Sequence, residues 1–402
     1  MQKAILYLSA GTDNTLFQRY QQQGYIKGGF QAQKFNSLLI KGLAEHQPVR
    51  TIANLPFAAG TPRLSRTVEC GENVEYVTLG YIPGRFHKIA NLLQILSEGR
   101  KIGKADEIEA VVCDAINPLA SVGAYILSGL FRVPKVGIIT DIPELMDQGR
   151  ETIFTKITSH FMKKYDGYVL LTDAMNEKVN HRKKPFIVME GVCEDSHQGQ
   201  ESNPSDLLHK NVCMYTGTLA EGTGIENLLQ GFMQANLSNT ELHIYGNGAC
   251  REKVIAVSKH FQAIQYKGIA GNDVIVREQQ KAALLINPRP KDVPFGEYSF
   301  PSKIMEYMVS GTPVLSTRLP GIPKEYFEYI YSLDNESASG IAKAIKEILE
   351  IPLEERMTKG QAARQYVSEY KNKYIQSGRI LELIGKIKSD EKSINKRYHT
   401  NI

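Results

Sequence analysis

Short apolar runs alternate with amphipathic stretches along the whole 402-residue chain. That alternation is the mark of βα units built on parallel sheets. In the first half the runs at 4–8, 49–54, 74–79, 110–113, 135–139 and 168–171 read as strands. Helical periodicity between them predicts helices over 30–45, 87–98, 119–130 and 153–164. The segment HQGQESNPSD at 197–206 has neither period and is rich in turn formers, so it reads as a linker. The pattern then restarts, with strands at 212–215, 241–245, 282–287 and 313–317 and a helix at 225–235. After Ser337 the chain turns helical, over 341–349, 353–370 and 371–388. No 20–50-residue period repeats, which excludes a solenoid. The expected class is α/β, with two Rossmann-like doubly wound domains at 1–200 and 207–370. Ligands of such sheets sit outside the carboxyl ends of the strands.

Composition narrows the function without changing the architecture. A net charge of +5 is too mild for a nucleic-acid binder, whose basic residues would be denser and gathered on one face. The five cysteines lie far apart with no C-x-x-C pair, which speaks against a zinc site or a disulfide framework and for a reducing compartment. No stretch approaches the roughly 20 apolar residues of a membrane span. The start, MQKAILYLSAG, reads as a first buried strand rather than a signal peptide, and a cytoplasmic protein is expected.

Candidate chemistry concentrates after the strand AALLIN at 282–287. The loop PRPKDVPFGEYS follows, where three prolines and a glycine prevent regular structure. Pro301-Ser302 then opens a helix, with the serine available to satisfy an orphan N–H, and Gly311 closes it. Lys303 falls in the first turn, where the helix dipole disfavours a cation. An anion at that N-terminus removes the conflict. Glu306 lies one turn on, sharing a face with Ser302 and Lys303, and its carboxylate can accept two hydrogen bonds from a vicinal diol. Ribose plus diphosphate fits this spacing. A plain surface ion pair between Lys303 and Glu306 fits it too.

The segment YSFPSKIMEYMVSGTPVL at 298–315 resembles the donor-site segment of the retaining glycosyltransferases of family 4, with Asn287-Pro288-Arg289 matching the N-P-R that precedes it in one subgroup. VCMYTGTL at 212–219, LHIYGNG at 242–248 and Tyr266-Lys267-Gly268 resemble the first three strands and turns of the same nucleotide-binding domain. Gly28-Gly29 before a helix resembles the glycine-rich loop of the acceptor side. The resemblance implies the GT-B fold, with residues 371–402 forming a helix that crosses back to the first domain and then a polar tail. It implies a retaining transferase that takes a sugar from a nucleotide-sugar, expected to be a UDP-sugar, without a metal or other cofactor. The acceptor would be a glycan or a lipid-linked glycan, in bacterial surface or exopolysaccharide assembly. It also implies that Gly28, Gly29, Gly217, Thr218, Gly246, Tyr298, Ser299, Phe300, Pro301, Ser302 and Glu306 bind donor, and that Arg289 and Lys303 stabilise the leaving diphosphate.

The chain departs from the family's pattern in three places. Where many members carry a first glutamate, separated from the second by seven residues, Tyr298 stands, with Glu297 one residue out of register. Sugar contact then falls to the backbone and side chains of Tyr298–Phe300. Thr218 and Thr223 replace an Arg and a Lys that bind pyrophosphate, which moves that task to Arg289 and Lys303. No histidine occurs near Asp114-Ala115-Ile116-Asn117, where relatives place one over the donor sugar. Asp141 is a candidate to orient the acceptor hydroxyl or act as its base; it is equally placed to cap the next helix. These losses leave open a catalytically silent GT-B partner subunit. A nicotinamide dehydrogenase is disfavoured, because LYLSAGTDNT stands where G-x-G-x-x-G would follow the first strand. Finally, residues 85–104 carry Phe86, Ile89, Leu92, Leu93 and Leu96 beside Arg85, Lys88, Arg100, Lys101 and Lys104. That pattern fits peripheral contact with the inner face of an anionic membrane, and equally the core-facing stripe of an ordinary helix.

Overall fold

The computed structural model describes residues 3–146, 152–194, 211–293 and 296–399. The chain divides into two compact units, Met1–Glu194 with Asn372–Ile402, and Asp195–Lys371. The linker expected at 197–206 lies outside the described residues.

The first unit runs β1 (Ala4–Ser9), α1 (Asn14–Gln22), α2 (Phe30–His46), β2 (Val49–Ala53), β3 (Thr67–Gly71), β4 (Val74–Thr78) and α3 (His87–Ala105). It continues with β5 (Ile108–Asp114), α4 (Pro118–Phe131), β6 (Lys135–Ile139), α5 (Pro143–Met146), α6 (Ile153–Met162), β7 (Gly167–Leu170), α7 (Ala174–Val179) and β8 (Phe186–Val188). The strands form one sheet in the order β3-β4-β2-β1-β5-β6-β7-β8. All its pairings are parallel except β3 with β4. Central strands such as AILYLS are buried along their whole length because helices cover both faces. Ile5 and Tyr7 face Leu39, Leu43, Ile380, Ile384 and Ile387 in one core. Leu8 faces the other way, where a Cβ added to Gly123 of α4 would come within 3.2 Å of it.

The second unit runs β9 (Val212–Thr216), α8 (Ile225–Ala235), β10 (Glu241–Tyr245), α9 (Arg251–His260), β11 (Ile264–Gly268), α10 (Asn272–Lys281) and β12 (Leu284–Asn287). Then come α11 (Ser302–Ser310), β13 (Val314–Thr317), β14 (Tyr331–Leu333), α12 (Ala338–Glu350) and α13 (Leu353–Tyr370). Its sheet is wholly parallel in the order β11-β10-β9-β12-β13-β14. The last helix, α14 (Lys373–His399), lies in the first unit and supplies the isoleucines at 380, 384 and 387 just named. Gly42 of α2 makes that docking close, since a Cβ there would meet the Lys373 carbonyl at 2.2 Å.

Each sheet reverses its strand order once, between β1 and β5 in the first unit and between β9 and β12 in the second. The loops leaving these neighbouring strands diverge, and the crevice between them is where doubly wound sheets hold ligands.

Candidate active site

The second unit's switch point gathers most of the residues singled out in the sequence. Tyr215 near the end of β9 is buried, and its hydroxyl donates to the Thr218 carbonyl at 2.8 Å, which pins the turn Gly217-Thr218. Above the Tyr215 ring sits the ammonium of Lys303, 4.1 Å from the centroid. Gly217 lies on the same ammonium: with φ at +134°, an added Cβ would stand 3.1 Å from Nζ. Gly246, leaving β10, abuts Gly217 so closely that a Cβ would come within 1.8 Å of the Gly217 carbonyl oxygen. The Gly217 amide meanwhile donates to the Tyr245 carbonyl at 3.0 Å. Only glycine fits either position.

The loop after β12 closes the other side. Gly224, which starts α8 at φ +76°, would press a Cβ to within 1.9 Å of the Pro288 carbonyl. That contact seats the Pro288-Arg289 turn beside the Gly217–Gly224 loop. Arg289 Nη1 donates to Ser299 Oγ at 3.4 Å, and burial lowers its pKa. The turn Gly296–Tyr298 is held from behind by Gly321, whose Cβ would meet the Ser299 carbonyl at 2.2 Å. Phe300 is buried, edge-on to Tyr326 at 5.4 Å, so its side chain is core and only its backbone is free to serve a ligand.

Helix α11 starts at Ser302 with the buried Pro301 as its N-cap, and no side chain caps that end. The sequence reading gave Ser302 a capping role; the structure does not show it, because Ser302 is already the first helical residue and a cap must precede it. Lys303 follows, with its pKa driven down to about 7. Burial is the main cause and the Arg289 charge adds to it, while Glu306 acts in the opposite direction. Two cations thus share the crevice over a bare helix N-terminus. Glu306, partly exposed, follows one turn later on the same helix. Tyr307 ties α11 to β9: its hydroxyl accepts from the Thr216 amide at 2.9 Å and burial raises its pKa. Sequence reasoning missed Tyr215 and Tyr307, since an aromatic in an apolar run signals core and gives no sign of its hydroxyl's partner. Thr223, which stands where relatives carry a pyrophosphate-binding cation, turns its hydroxyl to the Ala220 carbonyl at 2.7 Å, inside its own loop.

The first unit's switch point has a different character. The Thr12 amide donates to Gln33 Oε1 at 3.0 Å, and Gln33 Nε2 returns a bond to the Thr12 carbonyl at 2.7 Å. The Tyr7 hydroxyl donates to Asn36 Oδ1 at 2.8 Å. Asp114, at the end of β5, accepts from the Ile116 amide at 3.2 Å. Burial pushes its pKa up to about 6, against hydrogen bonds from Ile116 and Asn36, and the Asp141 charge raises it further. Asp141 itself is exposed at the end of β6. Asn117 caps α4, accepting from the Leu119 and Ala120 amides, which gives it a structural task. Gly29 is the N-cap of α2 at φ +80°, a conformation that favours glycine; Gly28 has no neighbour within 4 Å of an added Cβ.

Two Rossmann-like units of this kind define the GT-B class of fold. Residues 210–350, within the second unit, match the family model for glycosyl transferases group 1. Among solved structures, the chain is similar to a sucrose-phosphate synthase from Thermosynechococcus elongatus, at a TM-score of 0.66 and 14% identity over 96% of this chain and 100% of that one. It is similar to an α,α-trehalose 6-phosphate synthase from Burkholderia multivorans, at a TM-score of 0.63 and 13% identity over 98% of each chain. The Anabaena protein HepE, solved in complex with UDP and glucose, gives 0.61 and 13% over 96% of this chain and 100% of that one. No curated protein matches the chain in sequence.

Proposed function

We propose that the chain is a retaining glycosyltransferase that moves a sugar from a UDP-sugar to a glycan or lipid-linked acceptor, in assembly of a bacterial surface polysaccharide. The observation that carries the proposal is the Lys303 ammonium, held over Tyr215 and beside Gly217 at the bare N-terminus of α11, with its pKa lowered by burial and by Arg289. Such a site disfavours its own charge until an anion arrives, and a diphosphate supplies one. The UDP bound to HepE supports uridine as the nucleoside.

In the proposed reaction the acceptor hydroxyl oxygen bonds to the anomeric carbon as the bond from that carbon to the diphosphate oxygen breaks. The hydroxyl proton passes to the released diphosphate, and negative charge grows on the leaving group during the transfer. Lys303, Arg289 and the free amides at the start of α11 stabilise that charge, with no metal required. Glu306 holds the ribose diol. Glycines at 217 and 246 keep side chains out of the phosphates' path, and the backbone around Tyr298–Phe300 contacts the sugar. Gly28 and Gly29 let the first unit's backbone come close to bound substrate. Asp141 orients the acceptor hydroxyl. A thermal-shift screen with UDP-, GDP- and ADP-sugars tests the proposal. Stabilisation by UDP-sugars that is lost in Lys303→Ala and in Glu306→Ala is expected. No stabilisation by any of them would instead favour the catalytically silent partner subunit.

A further inference from the structure

Helix α3 presents two opposed faces, and only one of them is used by the fold. Asn91, Ile95, Glu98, Gly99 and Ile102 are buried. The buried side is drawn tight against α4: a Cβ on Gly99 would meet the Leu127 side chain at 2.5 Å, and one on Gly103 would meet the Phe131 ring at 2.3 Å. On the opposite side Phe86, Ile89 and Leu93 are exposed by 69%, 60% and 62%. Their spacing of three and four residues aligns them on one stripe. Of the five apolar residues in the sequence stripe these three therefore face outward, while Leu92 and Leu96 are half-buried.

The same outward face turns basic in its second half. Arg100, Lys101 and Lys104 follow the apolar residues along the helix, and with Leu93, Leu96 and Ser97 they line a shallow groove of about 290 Å³. Between Arg85 and Ala105 there are five Lys and Arg residues against one acid, Glu98. Glu98 is buried and bridged by Arg66 and Lys101, so it adds little negative charge to the surface. The neighbouring acids Asp106 and Glu107 are paired with Arg50 and Lys3. Beside this helix α4 exposes Ile126 and Leu130, by 39% and 52%.

We infer that the outer face of α3 is a docking surface for an anionic phospholipid bilayer. Phe86, Ile89 and Leu93 enter the boundary between headgroups and acyl chains, while Arg100 and Lys104 lie against the anionic headgroups. The combination selects the occupant. A polyanion such as nucleic acid would satisfy the basic half and leave three large apolar side chains in water, whereas a lipid interface takes both. Among the described residues no helix is long and apolar enough to cross a membrane, so the contact is peripheral.

The chain contains no tryptophan, so Leu93→Trp introduces a single reporter. Its emission should shift to the blue with vesicles containing phosphatidylglycerol and stay unchanged with pure phosphatidylcholine. Co-sedimentation of the full chain with the anionic vesicles should fall by roughly tenfold or more in Phe86→Ser/Ile89→Ser, and similarly in Arg100→Glu/Lys104→Glu. All four substituted positions are exposed, so the variants should keep the wild-type melting temperature. An absence of vesicle binding, equal binding to both vesicle types, or undiminished binding in both variants would overturn the inference. So would a blue shift that appears without lipid as protein concentration rises, which would mark a second copy of the chain as the occupant. Because the readout is binding rather than sugar transfer, a failure here is distinct from a failure of the proposed function.

Discussion

In the first unit β1 ends in Ser9-Ala10-Gly11-Thr12 and its neighbour β5 ends in Asp114; in the second, β9 runs into Gly217-Thr218 and β12 into Pro288-Arg289. The topology of the two crevices is the same, and their chemistry is opposite. The first is lined by amides and by two carboxylates whose charges repel. The second is lined by two cations at a helix N-terminus. In both, burial shifts the pKa toward the neutral form, raising Asp114 and lowering Lys303. The fold thus supplies two equivalent platforms, and the side chains at their edges decide what each receives. A diphosphate suits only the second. The crevice glycines differ too: Gly246 and Gly224 admit backbone against backbone, whereas the atoms nearest a Cβ on Gly11 belong to the side chains of Asn36, Ser9 and Ile40.

The largest expected effect is loss of the cation. Lys303→Ala should lower the rate of sugar transfer by about 10²–10³-fold, the usual consequence of removing one donor from a site of developing charge. It should leave the free protein at least as stable, because a buried charge is removed. Equal activity in Lys303→Ala would dissolve the contrast between the crevices.

Next come the glycines. Gly246→Ala should destabilise the second unit by about 1–3 kcal/mol, since its φ is +143° and its Cβ would meet a backbone oxygen. Gly11→Ala should cost less in the first, because Gly11 is outside the left-handed region and its closest clash, with Asn36 Cβ at 2.6 Å, is less severe than the 1.8 Å at Gly246. Chemical denaturation of the two variants compares them directly, and the reverse order would contradict the packing described.

The two buried charges should also act in opposite pH windows. Asp114 has a folded pKa of about 6 against an ordinary 3.8, so the folded state binds more protons between these values. Its contribution to stability is present below pH 3.8 and is lost as pH rises through 6, by about 3 kcal/mol at most. Lys303 has a folded pKa of about 7 against 10.5, so the unfolded state binds more protons there, and stability rises over that range. Asp114→Asn should flatten the acid window alone and Lys303→Ala the alkaline one alone, as read from melting temperature against pH.

The smallest effect is expected at Tyr215. Tyr215→Phe keeps the ring beneath Lys303 and loses the bond to the Thr218 carbonyl, at a cost of about 1 kcal/mol to the second unit. Tyr215→Leu also removes the ring, and should weaken donor binding further than Tyr215→Phe. Identical binding in the two variants would take the ring out of the site.

Most of the sheet architecture was legible in the apolar runs. Helices α8 and α13 fall where periodicity placed them, and strands such as β6 and β10 do as well. The unread elements have physical reasons. Strand β3, TVECG, is an exposed antiparallel edge, and α10, NDVIVREQQK, is mostly polar, so neither carries an apolar signal. In the second unit's crevice, Lys303, Glu306, Arg289, Gly217 and Gly246 were readable because spacing along one helix and glycines at strand ends survive in one dimension. Tyr215 and Gly224 were not, since their roles arise from contacts across the sheet, with Lys303 and with the Pro288 carbonyl. The face of α3 was ambiguous in sequence for the same reason: one stripe fits core and surface alike, and only packing against α4 assigns it.

Titration calorimetry of UDP against pH tests most directly whether the second unit's crevice binds a diphosphate through Lys303. An anion restores the lysine's charge, so binding should take up a proton above pH 7, and affinity should fall by about tenfold or more between pH 7.5 and 9.0. Lys303→Arg, which stays charged, should bind with little pH dependence, and Lys303→Ala should bind weakly throughout. UDP affinity that is independent of pH in the wild type and unchanged in Lys303→Ala would contradict the account.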